Sequence, residues 1–339
     1  MLHELKEIIQ QAVINQKKDI KNILVTVVDL DGSSYRKPGV RMLISNDDSY
    51  IGAVSGGCVE KEIIKRAQTV FENEKAKIIT YDGRYKLGCE GILYILIEPF
   101  FISNAFLEAF LFAIAHRDTI QIDSYFKKED EAIGNYGSIL TFKNKQQFIF
   151  SDFFNLKTLD NNKIFTQHLK PLFNLIIIGG EHDAVQLCKI AANLGWQIVV
   201  ITAAKDSKLQ SNFPGAHAVI GETPETIQFS NIEDDTAIVL MNHSYVQDLK
   251  YLLQLSKQQP KYIGILGAPN RREKLFNALF EFAPATAEEF LDCIYTPAGL
   301  HIGAKTPEEI AISIIAEILS VTRNKEPFSL RKLQGKIHN

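Results

Sequence analysis

LIIIGGEHDAVQLCKIAANLGWQIVVIT, residues 175–202, decides the fold of the second half of this chain. Leu175–Ile178 is a continuous apolar run that stops at Gly179-Gly180. A stretch of helical character follows to about Leu194, and Trp196–Thr202 is a second apolar, β-branched run. Strands buried on both faces read as unbroken apolar runs, so this strand–turn–helix–strand unit opens a doubly wound α/β domain on a parallel sheet. Three further runs, HAVIG (217–221), TAIVLM (236–241) and YIGILG (262–267), are expected to be buried strands of the same sheet. The predicted domain spans residues 171–322, and the polar, basic stretch 323–339 is expected to be an extended tail.

The first half has a different grain. Leu2, Leu5, Ile8, Ile9, Ala12 and Val13 share one helical face. Strands are expected at 22–28, 40–45, 50–54, 77–80 and 92–98. Helices are expected from the SGGC segment to about Phe71 and from Phe101 to Ala115. Residues 119–150 hold strand-like pieces between charged turns. The segment 151–171 is polar and has no period, so the domain junction is placed there, with an N-terminal α/β domain over 1–160.

Composition narrows the class of function. The chain has 339 residues, with 37 Lys+Arg against 40 Asp+Glu, a formal net charge of −3. That balance offers no basic excess for nucleic acid or for an anionic membrane. No apolar run reaches the roughly 18 residues needed to span a bilayer. The start, MLHELKEIIQQAV, interleaves acids with apolar residues and is unlike a signal peptide. Cys58, Cys89, Cys188 and Cys293 are far apart with no CxxC pair, which argues against a disulfide scaffold and a structural zinc site. A cytoplasmic protein is the expectation.

Several segments carry residues suited to chemistry. GSSYRKPG (32–39) sets Ser33, Ser34, Arg36 and Lys37 after a strand, where hydroxyls, backbone N–H groups and a guanidinium can donate to an anion. A solvated turn shaped by Pro38 would read the same way. Ser55-Gly56-Gly57-Cys58 pairs a backbone that can approach a ligand closely with a cysteine in the first turn of a helix, where the macrodipole favours its thiolate. Such a thiolate is a candidate metal ligand or sulfur carrier, and a small buried cysteine at a tight turn is the plain alternative. Leu87-Gly88-Cys89-Glu90-Gly91 offers a second cysteine within a glycine pair.

In the second half, Gly179 and Ala184 fit a dinucleotide fingerprint, but Glu181 stands where its second glycine belongs and would repel a pyrophosphate. Thr202-Ala203-Ala204 offers no acid for a ribose diol. His182, His243 and His301 stand at expected turns without metal-ligand spacing. Tyr295–Ala304 is a glycine-containing loop around Gly299. It leads into Thr306-Pro307-Glu308-Glu309, an N-cap, a proline at the first helical position and a capping box.

Together, GSSYRKPGVRML, GAVSGGCVE, LGCEG and YTPAGLHIGAKTPEEIAISIIAEI resemble the XdhC/CoxI family, in order and spacing from about Leu24 to Thr322. The resemblance implies an N-terminal α/β domain of that family's type followed by a Rossmann-like doubly wound domain. It implies a molybdenum-cofactor (molybdopterin) chaperone rather than a catalyst, and not itself a xanthine dehydrogenase. Such a protein binds the cofactor, helps it receive its terminal sulfur, and delivers it to an apo molybdenum hydroxylase of the xanthine dehydrogenase type. A sulfur-donating desulfurase and a homodimer are further implied partners. The residues that match are Ser33, Ser34, Arg36, Ser55, Gly56, Gly57, Cys58, Gly88, Cys89, Gly179, His182, His243 and Gly299, with Cys58 the candidate contact to the metal or its labile sulfur. Two departures, GGEHDA for the family's usual GAGHVA and TAAKD after the next strand, weigh against NAD(P). Two other functions remain open: an NAD(P)-dependent oxidoreductase using His182 or His243 as acid/base, and a pure protein-interaction module.

Overall fold

The computed structural model describes residues 1–34, 37–54, 58–83, 91–206, 208–229, 232, 235–258, 260–284 and 288–333, the side chains of Cys58 and Pro269 excepted. It falls into two compact units, Met1–Pro171 and Leu172–Asn339.

The first unit contains α1 (Leu2–Gln16), β1 (Asn22–Asp31), β2 (Arg41–Ser45), β3 (Tyr50–Gly52), α2 (Cys58–Asn73), β4 (Lys77–Asp82), β5 (Ile92–Pro99), α3 (Asn104–Ala115), β6 (Ile120–Phe126), β7 (Gly137–Thr141), β8 (Gln147–Ile149) and β9 (Lys163–Leu169). Two antiparallel sheets form, one in the order β3-β2-β1-β5-β4 and one in the order β8-β7-β6-β9. One face of the five-stranded sheet, with Ile23, Val25, Val27, Ile95 and Ile97, packs on Val59, Ile63, Ala67 and Val70 of α2. The opposite face receives α1, through Asn15 on Asn22 and Ser45, and the four-stranded sheet, through Val28, Ile78, Leu96 and Phe126. Helix α3 starts at Ser103, whose hydroxyl accepts from the Phe106 amide. It sets Phe106 edge-on against Phe148 and Phe150.

A β-bulge at Val27/Asp29 interrupts the β1–β5 register. Val27 faces α2, whereas Asp29 and Asp31 pair with Tyr94 and Ile92 on the face that looks to the four-stranded sheet. Without the bulge, strict alternation from Val27 would have aimed both acids into the α2 core.

The aperiodic segment 151–171 contains β9, which pairs along its length with β6. Only Gln167 and Leu169 of this edge strand are buried, so its sequence carries almost no apolar alternation. Helix α3 begins three residues later than the Phe101 expected from the apolar pattern, because Pro99–Ile102 is extended and Ser103 caps.

The second unit contains β10 (Asn174–Ile178), α4 (His182–Asn193), β11 (Gln197–Ala203), β12 (Ala218–Glu222), β13 (Thr236–Leu240), α5 (Tyr245–Leu255), β14 (Tyr262–Ile265), α6 (Pro269–Phe282), α7 (Glu288–Asp292), β15 (Ile294–Tyr295) and α8 (Pro307–Thr322). All six strands are parallel, in the order β12-β11-β10-β13-β14-β15. Counted from β10, this is the 3-2-1-4-5-6 order of a Rossmann fold. Helices α4 and α8 cover one face, through Leu187, Cys188, Ile314 and Ile318, and α5 and α6 cover the other, through Leu252, Leu255, Leu275 and Leu279. HAVIG, expected as a buried strand, lies in the exposed edge strand β12. Thr306 and Glu309 close the capping box of α8. No helix among the described residues is long and apolar enough to cross a membrane.

Candidate functional site

The antiparallel topology of the five-stranded sheet gathers its chemistry at one end. β1 ends there at Asp31 opposite the start of β5 (Ile92), β4 ends there at Asp82, and β2 starts there as β3 ends, with Met42 opposite Gly52. The three chain segments that leave or enter at this end are 32–40, 53–57 and 83–91. These are the segments that carry the GSS, SGGC and LGC motifs.

Ser33 is exposed and Ser34 half-buried at this edge. Gly91 lies directly against the serine loop, since a Cβ built on it would stand 2.5 Å from the Ser33 carbonyl oxygen. The Gly83 amide donates to the Gly91 carbonyl at 3.0 Å, closing the base of the β4–β5 connection. Cys58 is the first residue of α2. Arg36, Ser55, Gly56, Gly57, Gly88, Cys89 and the Cys58 side chain lie outside the described residues.

The bulge-turned acids meet a cation from the other sheet. Lys128, in the turn after β6, lies 3.0 Å from Asp29 and 2.6 Å from Asp31, and its ammonium sits 4.8 Å from the centre of the Tyr94 ring. The Tyr94 hydroxyl donates to Asp31 at 2.9 Å. The hydrogen bonds from Lys128 and Tyr94 hold the Asp31 carboxyl below its usual range, and the Asp31 bond holds the Lys128 ammonium above its own. Lys128 thereby offsets two carboxylates that would otherwise repel an anion beside the Ser33 loop.

Below the loop lies a buried polar layer. Thr26 and Arg41 are direct cross-strand partners, and Leu24 pairs with Glu98 on the same face. Arg41 donates to the Gly39 carbonyl at 3.0 Å and to Gln167 of β9 at 2.5 Å. Glu98 is fully buried and accepts from the Ser138 amide at 2.8 Å and the Ser138 hydroxyl at 2.6 Å. Burial pushes its carboxyl up to about 7, against the pull of Ser138 and Arg41, and lowers the Arg41 guanidinium to about 10. Asp29, Asp31, Arg41, Glu98, Lys128 and Gln167 were not picked out by sequence reasoning. Two acids two apart at the end of an apolar strand were the one visible signal; Lys128 and Gln167 reach the loop only through sheet packing.

In the second unit, the carboxyl ends of β10 and β13 flank the topological switch point, where ligands of such sheets bind. Gly179 stands there with φ +141° and with room for no Cβ, since one would lie 2.8 Å from the backbone C and O of Met241. This glycine is therefore demanded by packing of the two strand ends. Above Gly180, a built Cβ would lie 3.3 Å from the Thr202 methyl and 3.6 Å from Cγ of Lys208. Lys208 pairs with Asp206 at 2.8 Å, so the chain's own loop after β11 lies over the turn. Glu181 is the exposed N-cap of α4 and makes no side-chain capping bond.

His182 is exposed, with Nε2 3.4 Å from the Gln186 amide nitrogen, and His243 is exposed in the turn after β13. That turn is fixed from beneath. Buried Asp248 accepts from Asn242 at 3.0 Å and from Arg271 at 2.5 Å, and Arg271 also donates to the Asn242 carbonyl at 3.3 Å. Burial raises the Asp248 carboxyl despite both donors. Gly299 is drawn toward α8: its amide donates to Glu317 at 2.8 Å, and a side chain on it would overlap the Ser313 hydroxyl. The loop it opens begins at the carboxyl end of β14, where the Ala298 amide donates to Ile265 at 3.0 Å. His301 is exposed on that loop. Cys188 and Cys293 are buried, and desolvation pushes their thiols up to about 11 and about 12, which makes them inert. Among the described residues, no three His, Cys, Asp or Glu side chains converge as metal ligands.

Comparisons with known proteins agree with this architecture. A family profile described as the XdhC and CoxI family matches residues 16–82, and one described as the XdhC Rossmann domain matches residues 175–318. The chain is 29% identical over 320 residues to a Bacillus subtilis protein described as a probable xanthine dehydrogenase subunit, covering 89% of this chain and 93% of that one. It is 24% identical over 309 residues to the molybdenum cofactor insertion chaperone PaoD of Escherichia coli, covering 90% of this chain and 84% of PaoD. A crystal structure described as a xanthine dehydrogenase from Bacillus halodurans superposes with a TM-score of 0.73 at 25% identity, over 94% of this chain and 96% of that one.

Proposed function

This chain belongs to the XdhC and CoxI family, and on that premise we propose that it is a maturation factor for a molybdenum hydroxylase of the xanthine dehydrogenase type. Its cargo is the molybdenum cofactor, which it holds while the terminal sulfur is supplied by a desulfurase and then hands to the apo-enzyme. It acts in the cytoplasm as a homodimer. The observation that carries the reading is that the strands flanking the three motif-bearing segments end or start at one end of the five-stranded sheet, with Gly91 against the Ser33 carbonyl.

The donor set suits an anionic pterin. Ser33 and Ser34, with Arg36, Ser55, Gly56, Gly57 and Gly88 from the sequence motifs, are the residue types that would hold the phosphate and the oxo groups. Cys58, at the first position of α2, would be the soft ligand for the metal or its labile sulfur, and Cys89 of the LGC motif is the second candidate thiol. In the second unit, Gly179, His182, His243 and Gly299 line or approach the crevice end of the parallel sheet.

The test is pterin and molybdenum content, by oxidised-pterin fluorescence and metal analysis, of protein purified from a cofactor-producing host. Near-stoichiometric pterin is expected, and a several-fold loss in folded Cys58→Ala. A folded wild-type protein with neither pterin nor metal overturns the proposal; unchanged retention in Cys58→Ala removes Cys58 from it.

The 3-2-1-4-5-6 sheet favours a second reading, a nucleotide in the crevice of the second unit. Glu181 and the Lys208–Asp206 pair over Gly180 oppose a dinucleotide there. Micromolar binding of NAD(P) in a calorimetric titration, with turnover of a carbonyl or alcohol, would establish that reading over the first.

A further inference from the structure

The loop 32–40 is gripped on both sides by the four-stranded sheet, a part of the chain that carries little of the family likeness. On the side where the chain enters the loop, Lys128 holds Asp29 and Asp31, the last acids before Gly32. On the side where it leaves, Gln167 of β9 accepts from Arg41, and Arg41 in turn donates to the Gly39 carbonyl. Gly39 has φ +98°, and a side chain there would overlap the Gln167 amide, so loop and edge strand are in direct contact. The backbone closes the same point, with the Gly39 amide donating to Val27 at 2.7 Å and the Val27 amide to Val40 at 3.0 Å.

Both ties run through polar side chains. Lys128 is a half-buried cation whose partners lie at the end of a bulged strand, and bulges re-aim side chains next to functional sites. Arg41 is buried, and among the described residues its Nη1 donates to the Gly39 carbonyl and to Gln167, with the Glu98 carboxyl attracting it from the same layer.

We infer that Lys128 and Gln167 are positioning residues that fix the two described ends of this loop, Gly32–Ser34 and Lys37–Val40, for ligand binding. They act through Asp29, Asp31 and Arg41, and touch no ligand themselves. The inference deepens the cofactor-binding reading, since the geometry they fix is that of the Ser33-Ser34 donors.

The test compares full-length wild type with Lys128→Met, Lys128→Arg and Gln167→Leu. Two quantities are read: hydrogen exchange of peptides covering residues 30–42 and 137–150, and pterin retained after purification from a cofactor-producing host. Lys128→Met is expected to speed exchange in 30–42 by about tenfold, to leave 137–150 at its wild-type rate, and to lower retained pterin several-fold. Lys128→Arg restores both, because a guanidinium can span the same two carboxylates. Gln167→Leu gives the same local pattern and replaces Lys128→Met if that variant does not fold. Unchanged exchange in 30–42 in a folded variant overturns the inference, as does acceleration spread equally over both peptides. If wild type carries no pterin, the cofactor reading fails, while the exchange pattern still decides whether these residues set the loop.

Discussion

Replacing Glu98 by glutamine separates charge from shape in the core of the first unit. The Glu98 carboxyl is fully buried and its ionisation is pushed from 4.5 to about 7. Between those values the folded protein holds a proton that the unfolded chain releases. Its contribution to stability is therefore full below pH 4.5 and is lost as pH rises through 7. At about 1.4 kcal/mol per pH unit, the loss is about 3 kcal/mol.

Glutamine fits the site: its carbonyl can accept from the Ser138 amide while its NH2 donates to the Ser138 hydroxyl, which can turn toward Ser124 at 2.8 Å. In Glu98→Gln the pH-dependent loss should vanish. The assay is calorimetric unfolding of full-length wild type and variant at pH 4 and pH 8. The difference between the two proteins should change by about 3 kcal/mol, or roughly 6–12 °C in the melting temperature of a unit of this size.

His3, whose imidazole burial holds below its usual value, gives an opposite trend, but it is common to both proteins and cancels in the comparison. Trp196 is the only tryptophan and lies in the second unit, so its fluorescence follows the other unit in the same sample. Identical pH slopes for wild type and Glu98→Gln would refute the reasoning, because they would mean that Glu98 is ionised throughout the range.

Two substitutions probe the second unit. Gly179→Ala sets a Cβ against the Met241 backbone in a left-handed conformation, so urea unfolding followed by Trp196 fluorescence should show a loss of at least about 2 kcal/mol. Thr306→Ala removes the side-chain half of the α8 capping box and should cost about 1 kcal/mol in the same measurement, with Thr306→Ser close to wild type.

The segments with candidate chemistry were legible as sequence, but their convergence was not. GSSYRKPG, SGGC and LGCEG are local patterns of glycine, hydroxyl, cation and thiol, and each also reads as an ordinary turn. Their meeting at one end of the sheet depends on which strands pair, and antiparallel pairing joins β1 to β5 across some sixty residues. β9 escaped notice because an edge strand with two buried side chains has no period to read. HAVIG looked buried because it is apolar, and it lies at the opposite kind of position, an exposed sheet edge.

The doubly wound second unit and the capping of α8 could be read from local sequence alone. Strands covered on both faces, helices with one apolar face and a capping box are written in neighbouring residues, so local physics is enough to read them. The frame of the candidate binding edge came instead from long-range packing. A single extra residue at the Val27/Asp29 bulge turns Asp29 and Asp31 away from the apolar α2 face. Lys128 then meets them from a strand turn about a hundred positions further along the chain. Side chains in a strand alternate with period two, so a bulge, which breaks that alternation once, exchanges the faces of everything after it, and no local pattern announces which partner waits there.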